Sequence, residues 1–152
     1  MIKIMFVCHG NICRSPMAEF IMKRLVKDAG LENKFFISSS ATSTEEIGNS
    51  VYYKAKIKLA EHEISPGTKT AVRLKKQDYD EYNYIIGMDS FNIRNILRIV
   101  GNDSDHKVYK LLSFAGTAKD VADPWYTDDF DTAYNDILTG CTALLEKLKA
   151  HT

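Results

Sequence analysis

The sequence has little of what marks secreted, membrane-spanning or fibrous proteins. It has three cysteines, Cys8, Cys13 and Cys141. An odd and small number cannot build a disulfide framework and suits a reducing compartment, so the expected location is the cytoplasm. It has three prolines, Pro16, Pro66 and Pro124, none in a linker-like stretch, and no repeat or low-complexity tract, so one domain over residues 1–152 is expected. It has no excess of either charge: 20 Lys and Arg balance 20 Asp and Glu. Wholesale nucleic-acid binders are normally basic, so that class loses weight. No apolar run approaches the roughly 20 residues needed to span a bilayer, so neither a membrane protein nor a membrane partner is expected. The opening MIKIMFVCHG turns polar too early to read as a signal peptide. The four histidines are scattered, and Cys8 and Cys13 have no second cysteine pair to complete a zinc site, so no metal is expected.

What remains is an ordinary globular composition, 45% hydrophobic and 26% charged. Short apolar runs alternate with longer amphipathic stretches. Ile2 to Val7 reads as a buried strand, followed by a helix from Pro16 to Asp28. Ser15 is the candidate cap of that helix, Pro16 suits its first position, and Gly30 ends it. Further strands are expected at Phe35 to Ser39, Tyr84 to Met88 and Lys107 to Leu111. Helices are expected at Ser50 to Glu63, Phe91 to Val100 and Asp131 to Ala150, with a long loop from Ser113 to Tyr126. Strands separated by helices require crossovers, so the pattern predicts an α/β fold with a central parallel sheet of about four strands flanked by helices. Ligands in such sheets bind beyond the carboxyl ends of the strands, where the first strand delivers Cys8.

The chemistry concentrates in Cys8-His9-Gly10-Asn11-Ile12-Cys13-Arg14-Ser15. A loop running from a strand into a helix N-terminus turns successive backbone N–H groups inward, and with the helix dipole they form an anion cradle sized for phosphate. Arg14 can add a planar clamp on two phosphate oxygens. Cys8 lies in the same positive field, which favours the thiolate, aimed at a bound phosphorus. Gly10 admits close backbone approach, Asn11 can hold an unusual backbone conformation through its side chain, and Ser15 can donate to the thiolate. The loop is not a nucleotide-binding G-x-x-x-x-G-K-[ST] motif. Hydrolysis of a phosphate ester also needs a group that protonates the leaving oxygen and later activates water. Asp123, in the stretch Asp123-Pro124-Trp125-Tyr126, is the best candidate, while Asp128, Asp129 and Asp131 read as a solvated acidic start to the last helix.

Cys8 through Glu19 resembles the C-x-G-N-x-C-R-S-P-x-A-E signature of the low-molecular-weight protein tyrosine phosphatases. Ser39 to Ser43, Tyr84 to Asn92 and Asp123 to Tyr126 are similar to three further stretches of that family. The resemblance implies a metal-independent hydrolase without cofactor, acting on phosphotyrosine in a protein or on a small aryl phosphate through a phosphocysteine intermediate and releasing phosphate. It implies that Cys8, Arg14 and Asp123 are catalytic. It implies that His9, Gly10, Asn11, Ile12, Cys13 and Ser15 form the phosphate-binding loop and its mouth, with Trp125 and Tyr126 against the substrate. His9 reads equally well as a solvent-facing residue, and Cys13 as packing; the resemblance favours a Cys13 that captures oxidised Cys8 as a disulfide. Asp89 is implied to support the loop.

Two places depart from the family pattern. Glu45 and Glu46 stand where the family often carries an aromatic, and two acids at the rim would repel acidic phosphopeptides. Thr68 to Leu74 lacks the usual G-H-x-A-R-Q, so a hydrogen bond supporting the loop is missing or supplied by Lys69. Relatives of the same fold that dephosphorylate protein arginine look like C-x-G-N-T-C-R, with Thr in place of Ile12, so Ile12 favours phosphotyrosine. An arsenate reductase would need a further cysteine pair that the stretch from Ser15 to Gly140 lacks. A catalytically idle phosphate-binding module would be expected to have lost Cys8 or Asp123.

Overall fold

A computed structural model describes all residues, 1–152. Four strands, β1 (Ile2–Cys8), β2 (Phe35–Ala41), β3 (Tyr84–Gly87) and β4 (Val108–Lys110), form one sheet in the order β2-β1-β3-β4. Every pairing is parallel, with Cys8 level with Ala41 and Val7 level with Gly87. β1 therefore lies inside the sheet and is covered on both faces, which its unbroken apolar sequence requires. The strand period of two divides its side chains. Ile4, Phe6 and Cys8 enter the larger core, and Met5 and Val7 the smaller one.

The larger core lies under α1 (Arg14–Asp28) and α6 (Phe130–Lys149), which supply Met17, Ile21, Tyr134, Ile137, Cys141 and Leu144. The short α2 (Tyr53–Ala60) adds Ala55 and Leu59 to the same side. The smaller core is closed by the single turn α3 (Asp78–Glu81) and by α4 (Ser90–Val100), through Tyr79, Tyr82, Ile96 and Val100. Gly87 lets α4 sit close on β3: a Cβ there would come within 3.0 Å of Asn92 Cβ and Ile93 Cδ1. No helix is long and apolar enough to cross a membrane.

Three expectations need correction. The helix expected from Ser50 to Glu63 is only Tyr53–Ala60: Ser50 bridges to Thr70, and Glu63 turns out with φ of 59°. The loop expected from Ser113 to Tyr126 holds a 3₁₀ turn over Leu111–Ala115 and the short helix α5 (Pro124–Thr127). Ser15 is not the cap of α1. The helix begins at Arg14, with Cys13 as a cap residue whose side chain makes no capping bond; the Ser15 amide points at Cys8 Sγ, Pro16 has no N–H, and the Met17 amide bonds the Cys13 carbonyl. The backbone amides left without a partner in the chain are those of the loop ahead of the helix, Gly10 to Cys13, which are available to an anion, and the Ser15 hydroxyl is free for other work.

Candidate active site

The loop from Cys8 to Arg14 joins the carboxyl end of β1 to α1. Its fold depends on Asn11, which is 1% exposed and holds φ of 59°. Asn11 Nδ2 donates to Ser15 Oγ at 2.7 Å and to Ser39 Oγ at 2.9 Å, and its Oδ1 accepts from the Val72 amide at 3.1 Å. The side chain thus ties the loop to α1, to β2 and to the segment after α2. Because Asn11 donates to Ser15, the Ser15 hydroxyl hydrogen is free to turn to Cys8 Sγ, 3.0 Å away. The Ser15 amide points at the same sulfur from 3.4 Å. Two donors thus converge on one sulfur.

Ser39 in turn donates to Glu19 Oε1 at 2.6 Å, and Glu19 accepts from Lys23 at 2.6 Å, so the buried network ends on an ion pair. Lys69 does not reach the loop. It donates to the Ser39 carbonyl at 2.9 Å and lies 4.0 Å from Glu19, and the loop's support from this segment is the Val72 amide.

Arg14 is 3% exposed and crosses the floor of the cleft. Its Nη1 donates to Asp89 Oδ2 at 2.7 Å and to the Val121 carbonyl at 2.8 Å, and its Nη2 lies 3.4 Å from Asp123 Oδ2. Burial opposes the charge, but Cys8, Asp123 and Asp89 outweigh it and hold the guanidinium more firmly protonated than usual. One amino group is thereby fixed to the scaffold while the other faces the cleft beside Asp123. Asp89 has a second task as N-cap of α4, accepting from the Asn92 amide at 2.8 Å. Asp123 caps α5 through the Trp125 amide at 3.0 Å.

These groups line a cleft of about 540 Å³, into which Cys8, Gly10, Cys13, Arg14 and Asp123 are brought together. His9, Ile12, Glu45, Glu46, Trp125 and Tyr126 form its walls and mouth. Of the expected site residues, Asn11 and Ser15 lie beneath the cleft and act through the loop. His9 stands at the mouth, its Nε2 3.0 Å from Glu45 Oε2. Burial, with the charges of Cys8 and Asp123, pushes the Cys13 thiol far up, so Cys13 stays a thiol. The rival carboxylates are engaged elsewhere: Asp128 with Lys54, Asp129 as cap of α6 and Asp131 with Lys58. No group of three or more His, Cys, Asp or Glu side chains is placed to hold a metal. The Val121 carbonyl, the Val72 amide and the Ser39 hydroxyl gave no signal in the sequence, since a backbone group has no residue type and a serine in a strand has many uses.

A sequence model described as low molecular weight phosphotyrosine protein phosphatase matches residues 3–152. The chain belongs to this family. The low molecular weight phosphotyrosine protein phosphatase of Gallus gallus is 39% identical over 149 residues, covering 95% of this chain and 94% of the relative. The human protein of that name is 36% identical with the same coverage. Among solved structures, YfkJ from Bacillus subtilis superposes with a TM-score of 0.95 at 36% identity, over 100% of this chain and 97% of the other. A drosophila arginine phosphatase superposes with a TM-score of 0.89 at 27% identity, over 97% and 98% of the two chains. In this low-molecular-weight phosphatase, the loop signature and the acid stretch Asp123 to Tyr126 fall at one cleft.

Proposed function

We propose that residues 1–152 act as one phosphatase domain that hydrolyses phosphotyrosine esters, with Cys8 as nucleophile, Arg14 as phosphate clamp and Asp123 as general acid and base. The observation that carries this reading is the convergence of Cys8 Sγ, the Arg14 guanidinium and the Asp123 carboxyl on one cleft at the N-terminus of α1. The phosphoryl dianion sits on the unpaired loop amides ahead of α1 and the cleft-facing edge of Arg14. Cys8 Sγ attacks phosphorus in line, the S–P bond forms, and the P–O bond to the tyrosine oxygen breaks as Asp123 delivers its proton to that oxygen. Water then attacks the phosphocysteine, giving its proton to Asp123; the S–P bond breaks and phosphate leaves. Charge developing on the phosphoryl oxygens meets Arg14 and backbone dipoles already in place, so electrostatic stabilisation needs no further group. The half-buried Ile12 and the rings of Trp125 and Tyr126 give the walls an apolar character suited to an aryl ester.

Release of p-nitrophenol from p-nitrophenyl phosphate in the presence of EDTA and a thiol reductant tests the reading. Wild type should turn over, Cys8→Ser should be inert, and Asp123→Ala should lose about 10²- to 10⁴-fold in kcat, the usual worth of a general acid. Full turnover by Cys8→Ser would end the proposal.

A further inference from the structure

The cleft carries opposite charge on its floor and at its mouth. The floor is Arg14 and the start of α1; at the mouth stand Glu45 and Glu46, which the chemistry does not use. Glu46 is held in place. Its side chain packs over the loop so closely that a Cβ on Gly10 would come within 3.3 Å of Glu46 Cγ, and its carboxylate accepts from Asn49 Nδ2 at 2.6 Å. Glu45 is paired only with His9, and that pair is open to solvent, with 51% and 69% of the two side chains exposed. Cys13 lies deeper in the same cleft; burial chiefly pushes its thiol up, and Glu46 adds to that push, so the field of the rim reaches inward.

The same mouth is also aromatic. Trp125 is 52% exposed and Tyr126 83%, although one edge of the Trp125 ring is fixed against Tyr52, their centroids 4.9 Å apart. Carboxylates and open aromatic faces around one mouth are a combination that recognises cations, above all the planar guanidinium. On the phosphatase reading, a phosphotyrosyl ring would occupy the cleft and its neighbours in the substrate would emerge at this mouth.

We propose that Glu45 and Glu46, with the Trp125 and Tyr126 faces at the same mouth, are specificity-determining residues that select phosphotyrosines flanked by arginine or lysine and reject those flanked by acids. The inference rests on the phosphatase reading above. A substrate complementary to the cleft is bipolar, with a dianion for the floor and a cation for the rim. An acidic neighbour places a third negative charge against two carboxylates, and like-charge juxtaposition at a rim acts on association rate and partner choice.

The experiment compares two phosphotyrosyl peptides that differ only in the residues adjacent to phosphotyrosine, arginine in one and glutamate in the other. The ratio of their kcat/KM values is read at low salt, with p-nitrophenyl phosphate as the uncharged-flank reference. Wild type should favour the arginine peptide by about threefold to tenfold, the scale of a few partly screened charges. The ratio should fall toward unity in the double variant Glu45→Gln/Glu46→Gln, invert in Glu45→Lys/Glu46→Lys, and shrink as salt shortens the Debye length. Turnover of the reference with no preference between the peptides would overturn the inference and leave the phosphatase intact, as would a preference undiminished in the double Gln variant. No turnover of the reference or of either peptide would overturn the phosphatase reading, and this inference with it.

Discussion

Asn11 shows how one side chain can hold a catalytic loop. A non-glycine residue at φ of 59° is strained, and three side-chain hydrogen bonds, to Ser15, Ser39 and the Val72 amide, hold it there. Asn11→Ala removes the bonds and keeps the strain; Asn11→Gly removes the bonds and relieves it. In urea unfolding, Ala should cost about 2–4 kcal/mol and Gly about 1 kcal/mol less, while both lose activity because Ser15 is no longer oriented toward Cys8. Equal stability of the two variants would mean that the positive φ carries no cost. The Gly-Asn pair inside a Cys-to-Arg loop made this role readable in the sequence. The partners of Arg14 were less readable, since Asp89 is 75 positions away and Val121 is 107. A carboxylate at such a distance is found only when the fold brings it back, although the M-D-x-x-N stretch pointed to Asp89.

At the scale of elements, the buried strands and the long amphipathic helices were legible, because periodicity reports which face is buried. Elements set by distant contacts were not. Tyr52 reads as helical, yet its amide is taken by the Ile12 carbonyl at 2.9 Å, which keeps residues 50–52 against the catalytic loop and delays α2. The stretch before α5 is likewise held from outside, by the Val121 amide on the Met88 carbonyl at 2.9 Å and by Arg14 on the Val121 carbonyl. The turn between α4 and β4 is built around Asp103, which accepts from Tyr79 Oη at 2.6 Å, the Lys107 amide at 2.7 Å and the Val108 amide at 3.1 Å. Partial burial works to raise its carboxyl, but these donors outweigh it and hold Asp103 below the usual carboxylate range. A depressed folded value means that the bonds contribute fully above the unfolded value of about 3.9 and are lost as pH falls through the lower folded value. Asp103→Asn should therefore lower Tm at pH 7, by an amount equivalent to about 1–2 kcal/mol, and the gap from wild type should close in strong acid. A gap that stays constant from pH 7 to pH 2 would show that the charge of Asp103 is not what the turn uses.

At the scale of the molecule, the carboxyl edge of the sheet is closed by Arg14. Its guanidinium links the loop after β1, the start of α4 and the segment leading to α5, so three stretches far apart in sequence meet at one charge. The unpaired amides of the loop leading into α1 add an unfilled preference for an anion at the same point. A ligand held there binds the assembled edge and not the unfolded chain, so inorganic phosphate should stabilise the whole protein by mass action. At 100 times its dissociation constant the gain is about 2.7 kcal/mol. For a chain of this length each kcal/mol is worth about 2–4 °C, so Tm should rise by several degrees and continue upward with the logarithm of phosphate concentration. Phosphate also strengthens burial generally by exclusion from protein surfaces, and sodium chloride at matched ionic strength does not correct for that. The control is Arg14→Met, which keeps the stem and removes the charge: its Tm is lower at the outset, and its response to phosphate should be reduced to the general exclusion effect. An equal rise in the Arg14→Met variant would show that the Arg14 clamp contributes nothing to the stabilisation. A rise confined to wild type would show that the group which clamps the substrate also ties together the edge of the sheet on which it sits.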